Sequence, residues 1–106
     1  MLCILLIKNL DNIDWSRLSG NYNAFDLLMK NKDCIDFRYF SANPNPKLIR
    51  YLKEYPDKIN WNYLSLNSNQ YAISILEKNQ DKIDWFFLSI NPNAYDLLYT
   101  NPCFLH

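Results

Sequence analysis

One nine-residue pattern recurs four times along the chain and limits the fold more than any other feature. It reads Ile-Asp-Trp-x-x-Leu-Ser-x-Asn, with small variations, and starts at Ile13, Ile35, Ile59 and Ile83, which gives spacings of 22, 24 and 24 residues. A period of this length is typical of repeat arrays, in which each unit buries its apolar face only against its neighbours. We therefore predict one domain over residues 1–106, with a half-repeat at 1–12 and repeats at 13–34, 35–58, 59–82 and 83–106.

Each unit contains two apolar stretches with helical spacing. In the first, an aromatic residue and a Leu or Phe stand three positions apart, as in Trp15 and Leu18, which places them on one helix face. Asp or Asn precedes the aromatic and predicts an N-cap, because its side-chain oxygen accepts a free backbone N–H. The second stretch follows an Asn-x-Asn sequence and carries an apolar triplet such as Ala24, Leu27 and Leu28. We interpret the Asn residues of this stretch, some of them followed by Pro, as further helix caps.

These patterns predict an all-α fold, a short α-solenoid of about four helix-pair repeats with a leading half-repeat. The alternative is a leucine-rich-repeat-like solenoid, whose period of roughly 20–29 residues overlaps this one. The leucine-rich signature places leucines two residues apart in a strand, whereas the core pair here is three apart, as in Trp61 and Leu64. The spacing therefore favours the helical solution.

The repeat is also recognisable as a type. Residues 83–94 read IDWFFLSINPNA, which resembles the IDWxxLSxNPNAxxLL repeats in proteins of giant DNA viruses with A/T-rich genomes. The resemblance covers residues 2–102, with departures at Phe37 in place of Trp and Asn60 in place of Asp. It implies a viral protein acting in the host cytoplasm or in the virion, and it carries no catalytic residue onto this chain.

The composition limits the classes of partner that we expect. The chain has 11 basic and 11 acidic residues and a formal net charge of zero, so nucleic acid is not expected as a partner, because phosphate binding normally needs a basic surface. The cysteines Cys3, Cys34 and Cys103 are odd in number and form no CxxC pair, which predicts reduced thiols in an intracellular, non-secreted protein. The apolar opening, Met1–Ile7, is far shorter than the roughly 20 residues of a membrane span, so no membrane contact is predicted.

No pattern in the sequence indicates catalysis. Ser recurs in every unit, but the only histidine is the final residue, His106, so no base is placed to activate a hydroxyl. A single glycine, Gly20, excludes a glycine-rich phosphate loop. The recurring Asp residues fit caps and turns better than metal ligands. We therefore predict no enzymatic activity, no cofactor and no metal.

The two positions after each aromatic differ from unit to unit, whereas the scaffold positions recur. They are Ser16-Arg17, Arg38-Tyr39, Asn62-Tyr63 and Phe86-Phe87. A regular scaffold with changing side chains is how repeat proteins present a binding face, and Tyr, Phe and Arg are enriched in interface hot spots. The predicted function is a protein–protein interaction module, with partner-binding residues Arg17, Arg38, Tyr39, Tyr63 and Phe86. For Phe87, a place in the core is the alternative.

The second function that the sequence supports is a structural or self-assembling role. The segments Met1–Ile7 and Cys103–Leu105 make both ends of the chain apolar. Solenoids usually have polar terminal caps, so apolar ends predict a homo-oligomer formed end to end.

Overall fold

The computed structural model describes residues 13–99, and within this range all the regular secondary structure is helical. The helices are α1 (Trp15–Ser19), α2 (Phe25–Lys30), α3 (Phe37–Ala42), α4 (Pro46–Glu54), α5 (Trp61–Leu64), α6 (Gln70–Glu77), α7 (Trp85–Ser89) and α8 (Tyr95–Tyr99), with short 3-10 turns at Lys32–Cys34, Pro56–Lys58 and Gln80–Lys82. The all-α prediction is confirmed for these residues. The leucine-rich alternative is wrong for them, because it requires a strand in each unit and residues 13–99 contain none. The half-repeat 1–12 and residues 100–106 of the last repeat lie outside the described part.

The first helix of each unit begins where the sequence predicts. The side chains of Asp14, Asp36, Asn60 and Asp84 each accept a backbone N–H of the helix that follows, all at 3.1 Å. These helices are only four to six residues long. Isolated helices shorter than about 12 residues are marginal in water, so their stability depends on contacts with neighbouring units.

The second helices depart from the predicted capping. Asn45 and Asn69 cap α4 and α6 as expected, but α2 starts after Ala24, which provides no side-chain cap. Pro44 and Pro92 lie between the two helices of their units and not at the first helical position. Among the second helices, the cap prediction is therefore right for Asn45 and Asn69 only, each the second Asn of its Asn-x-Asn sequence.

The interior is formed by buried side chains from both helices of the units. Phe40, Leu64 and Leu88 on the first helices and Leu28, Leu52 and Leu76 on the second helices are all 0% exposed. Burying an aliphatic side chain of this size stabilises a fold by about 1.5–3 kcal/mol. The predicted core column of Trp15, Phe37, Trp61 and Trp85 packs against this cluster but is only partly buried. Lysines cover two of its members, with Lys58 Nζ 5.7 Å from the Phe37 ring centroid and Lys82 Nζ 5.2 Å from that of Trp61.

Buried asparagines tie the second, third and fourth units to the unit before each of them. The Nδ2 group of Asn67 donates to the carbonyl oxygens of Ser41 and Asn43, both at 2.9 Å, and its Oδ1 accepts the N–H of Asn69 at 3.0 Å. The equivalent Asn43 donates to Ser19 and Asn21, and Asn91 donates to Ser65 and Asn67. The sequence interpretation of this column as helix caps is wrong, because the carboxamide points to the preceding unit instead.

The recurring serines form a second set of links. The Oγ atoms of Ser19, Ser41 and Ser65 accept the backbone N–H of Asp36, Asn60 and Asp84 at 2.9, 2.9 and 3.0 Å. Each serine accepts a hydrogen bond from the unit that follows its own, so the serine column has a structural role. Three of these serines are fully buried, whereas Ser89 in the last unit is exposed.

Cys34 differs from the sequence expectation. It is buried and disulfide-bonded. The predicted reduced thiol is wrong at this position, because distance along the chain does not measure distance in a folded repeat.

Helices of neighbouring units pack against one another. Helix α1 packs on α3, α3 packs on α5, and α4 packs on α6. The protein measures 51 × 24 × 22 Å along its principal axes, and its Cα radius of gyration is 15.0 Å. A compact domain of this length would have a radius of about 13 Å, so the molecule is elongated.

Replacing Asn67 by Ala tests the asparagine tie. The change leaves two buried carbonyls and one N–H without a hydrogen-bond partner, and unsatisfied buried groups cost about 1–3 kcal/mol each. We expect the free energy of unfolding, measured by urea denaturation, to fall by about 3 kcal/mol. Asn21 is the matched control, since it is exposed and, within residues 13–99, its side chain only accepts the N–H of Asn23. Asn21→Ala is expected to cost less than about 1 kcal/mol, and equal losses for the two variants would contradict the role of the tie.

Candidate protein-interaction surface

Three aromatic side chains from successive first helices line up in contact, and we call Tyr39, Tyr63 and Phe87 the aromatic row. The ring centroids of Tyr39 and Tyr63 are 5.6 Å apart with an interplanar angle of 68°. Those of Tyr63 and Phe87 are 6.2 Å apart at 61°. Edge-to-face pairs of this kind contribute about 0.5–1.5 kcal/mol beyond their buried area. The row therefore both stabilises the packing of α3, α5 and α7 and presents ring surface across three units.

Arg38 lies at one side of the row and is held in place by Asp36. Its Nε and Nη2 atoms donate to Asp36 Oδ1 and Oδ2 at 3.1 and 2.8 Å, a bidentate geometry that fixes the guanidinium plane. The guanidinium carbon stands 5.4 Å from the ring centroid of Tyr39. The side chain remains 55% exposed, so a partner can still reach its remaining N–H groups.

The environment of Asp36 changes its acidity. The hydrogen bond from Arg38 is the largest influence, and it lowers the pKa of the Asp36 carboxyl to about 2 against a partial opposing effect of burial. Ser16 also donates to Asp36 Oδ2, at 2.8 Å, from the preceding unit. The same ion pair raises the pKa of Arg38 above its usual value. Asp36 therefore stays ionised and keeps Arg38 oriented well into acid.

Phe86 and Arg17 complete the set of predicted residues. Phe86 is 72% exposed, and its ring centroid lies 5.8 Å from that of Phe87. In the first unit, Arg17 stands at the position equivalent to Tyr39, two residues after the aromatic. Its side chain is 90% exposed, and its Nε lies 3.5 Å from an Asp14 carboxylate oxygen. The structure thus brings Arg38, Tyr39 and Tyr63 together and joins Phe86 to them through Phe87. Within residues 13–99, Arg17 has no ring contact with them.

Phe87 is the member of the row that the predicted set omits. It stands two residues after Trp85, the same offset that separates Tyr39 from Phe37 and Tyr63 from Trp61. This shared offset is the sequence signal that could have identified Phe87 as a member of the row. The side chain is only partly buried, so it contributes to the surface as well as to the packing.

The described residues contain no group of three His, Cys, Asp or Glu side chains that could hold a metal ion. No helix within residues 13–99 is long and apolar enough to cross a membrane. Compared with protein-family models, curated proteins and solved structures, the chain matches none of them.

Asp36→Asn tests the electrostatic part of this surface. Asn can still cap α3, but it removes the carboxylate that pairs with Arg38. A carboxyl with a lowered pKa stabilises the fold above its ordinary pKa near 3.8, and this contribution is lost as the pH falls through about 2. Between pH 5 and pH 2 we expect the wild type to lose about 1 kcal/mol more unfolding free energy than the variant. This is less than the full shift implies, since solvent screens a half-exposed pair.

The control for this experiment is Asp84→Asn. Asp84 caps α7 in the same way, and it forms no ion pair within residues 13–99. The pH dependence of unfolding is measured for all three proteins by circular dichroism. Parallel curves for the wild type and Asp36→Asn would show that the ion pair adds nothing to stability.

Proposed function

We propose that this chain is a non-enzymatic protein–protein interaction module that binds its partner through the aromatic row, Arg38 and Phe86. The observation that carries the proposal is the exposed Phe86 ring, 72% accessible, at the end of a continuous line of aromatic contacts. Large aromatic and Arg side chains supply most of the binding energy in protein interfaces. Here they stand on short helices whose relative positions are set by buried hydrogen bonds, so little ordering is needed when a partner binds.

We propose further that the scaffold is a short α-solenoid. Three features support this proposal: the repeated pairs of helices, the Asn and Ser hydrogen bonds between consecutive units, and the elongated shape of 51 × 24 × 22 Å. In a solenoid each unit contacts mainly its neighbours. Equivalent side chains then form rows along the array, as Tyr39, Tyr63 and Phe87 do.

The resemblance of the repeat to those of giant DNA viruses is the ground for proposing a viral protein that acts in the host cytoplasm or in the virion. The disulfide at Cys34 removes the thiol argument for an intracellular site, so this proposal rests on the resemblance alone.

The partner-binding proposal is tested by affinity capture from nuclease-treated host-cell lysate, with mass spectrometry as the readout. The double substitution Arg38→Ala/Phe86→Ala removes the two most accessible members of the surface and leaves the row itself in place. If these residues are hot spots, each loses about 2 kcal/mol of binding energy, so we expect at least a tenfold weaker capture of the partner.

The matched control is Tyr22→Ala/Lys30→Ala, which removes one exposed aromatic and one exposed cation that are not members of the proposed surface. Both variants are first compared with the wild type by thermal unfolding, to establish that they fold. Capture that is unchanged by Arg38→Ala/Phe86→Ala, or equally reduced by the control, would reject the surface.

A second candidate function, end-to-end self-assembly, is favoured by the state of the last described unit. Ser89 is exposed where Ser19, Ser41 and Ser65 are buried and accept an N–H from the next unit. Ile90 beside it is 62% exposed.

At the other end of the described residues, the Nδ2 group of Asn21 has no acceptor within residues 13–99, although the equivalent Asn43, Asn67 and Asn91 each donate to two carbonyls. Donors at one end and acceptors at the other suit a head-to-tail contact between copies. The apolar segments Met1–Ile7 and Cys103–Leu105, from which the sequence predicts this assembly, lie outside the described residues.

Ile90→Asp tests self-assembly. A charge placed beside Ser89 would have to be buried unpaired in a head-to-tail contact, which is costly. We expect multi-angle light scattering on the wild type to show a mass that rises with concentration, and the variant to remain monomeric. Tyr71→Asp gives the same charge on a 58% exposed residue of the third unit, away from both ends of the proposed contact. A wild type that stays monomeric at high concentration would rule the idea out.

A further inference from the structure

A groove of about 830 Å³ runs between the second helices α4 and α6. Ile49, Ile59 and Ile75 line it with apolar surface, and Trp61 and Tyr71 add two aromatic side chains. Ile49 and Ile59 are themselves part of the buried core. The groove is therefore supported by the packed interior, and its volume falls in the range of about 300–1,000 Å³ that ligand sites occupy.

The charge of the groove has one sign. Arg50, Lys53, Lys78 and Lys82 line it, and no Asp or Glu is among the residues that do. All four side chains are exposed, and none of them forms an ion pair within the described part of the chain. In a chain whose formal net charge is zero, this is a local concentration of uncompensated positive charge. Such a concavity attracts anions and raises their local concentration.

The apolar lining and the cations together define the ligand. Lys82 Nζ lies 5.2 Å from the Trp61 ring centroid, so charge and aromatic surface meet at one point of the groove. A ligand that uses both needs an apolar group to cover the isoleucines and several negative charges to reach the rim. We propose that this groove binds an acidic peptide segment, with Asp or Glu residues on either side of a Leu, Phe or Trp.

The surroundings of the groove favour a short acidic peptide over nucleic acid. Glu54, Glu77 and Asp81 adjoin Lys53, Lys78 and Lys82 in sequence, are exposed and do not line the groove. These carboxylates offset the positive charge beyond the groove itself, and nucleic-acid affinity depends on many phosphate contacts. A peptide of a few residues places its charges only where the cations are. This proposal concerns a different surface from the aromatic row and does not depend on it.

The test is an NMR titration of the full, ¹⁵N-labelled chain. The probe is a synthetic octapeptide pool in which each peptide carries four Asp or Glu residues and one central Leu, Phe or Trp. We expect chemical-shift changes at the amides of Ile49 and Ile75 and at the indole N–H of Trp61. A matched pool with Asn and Gln in place of the acids is expected to bind at least tenfold more weakly.

Arg50→Gln/Lys78→Gln removes two of the cations without changing the apolar lining. We expect the affinity for the acidic pool to fall about tenfold, while Lys30→Gln/Lys32→Gln, which removes the same charge outside the groove, changes it less than twofold. Because all four residues are exposed, the variants should fold, which the dispersion of their spectra will verify.

Three outcomes would overturn the proposal. The first is the absence of shifts in the groove, or shifts confined to the aromatic row. The second is equal binding of the Asn/Gln pool, which would leave no role for charge. The third is tighter binding of a twelve-nucleotide oligothymidylate to the same residues, which would assign the groove to nucleic acid.

Discussion

The buried carboxamide of each tying asparagine is the interaction on which the other features depend. Helices of four to nine residues do not persist alone, and the turn between the two helices of a unit exposes carbonyls that no helix satisfies. Asn67 supplies both of its N–H donors to two such carbonyls and accepts an N–H with its oxygen. Asp at this position would lack the donors, and an apolar side chain would leave all three groups unpaired in a dry site. One side chain thus completes the backbone of two units at once.

The ties also fix the distance and rotation between consecutive first helices, and this has a consequence for the surface. Because each tie has the same geometry, the residue two positions after the aromatic occupies an equivalent place in each unit. Tyr39, Tyr63 and Phe87 meet edge to face for this reason, even though they are 24 residues apart in sequence. The same regularity brings α4 beside α6 and forms the groove between them. Both surfaces therefore follow from the scaffold, and their chemistry follows from the residues that vary.

Local features of this fold could be predicted from the sequence, and distant ones could not. The first-helix caps such as Asp84 and the buried stripe containing Leu28 depend on residues a few positions apart, so their spacing is visible. The asparagine ties join residues 22 to 26 positions apart, and an Asn that caps looks the same in sequence as an Asn that ties. The predicted surface residues Arg38, Tyr39 and Tyr63 do come together, whereas Phe87 was missed because an aromatic beside a core position has two plausible roles. The disulfide at Cys34 was missed because spacing in sequence carries no information on its partner.

The groove shows why an average over the chain is a poor guide to binding. Eleven basic and eleven acidic residues cancel, and this balance predicts that a long polyanion is not a partner. The charge balance does not hold locally, because Arg50 on α4 and Lys78 at the end of α6 line one concavity, whereas carboxylates such as Glu77 do not line it. A repeat scaffold permits this separation, since each helix face recurs at a fixed place and can acquire its own chemistry. The aromatic row lies on first helices, whereas the four cations of the groove lie on or after second helices. A substitution among these cations should therefore leave the ligand chemistry of the row unchanged.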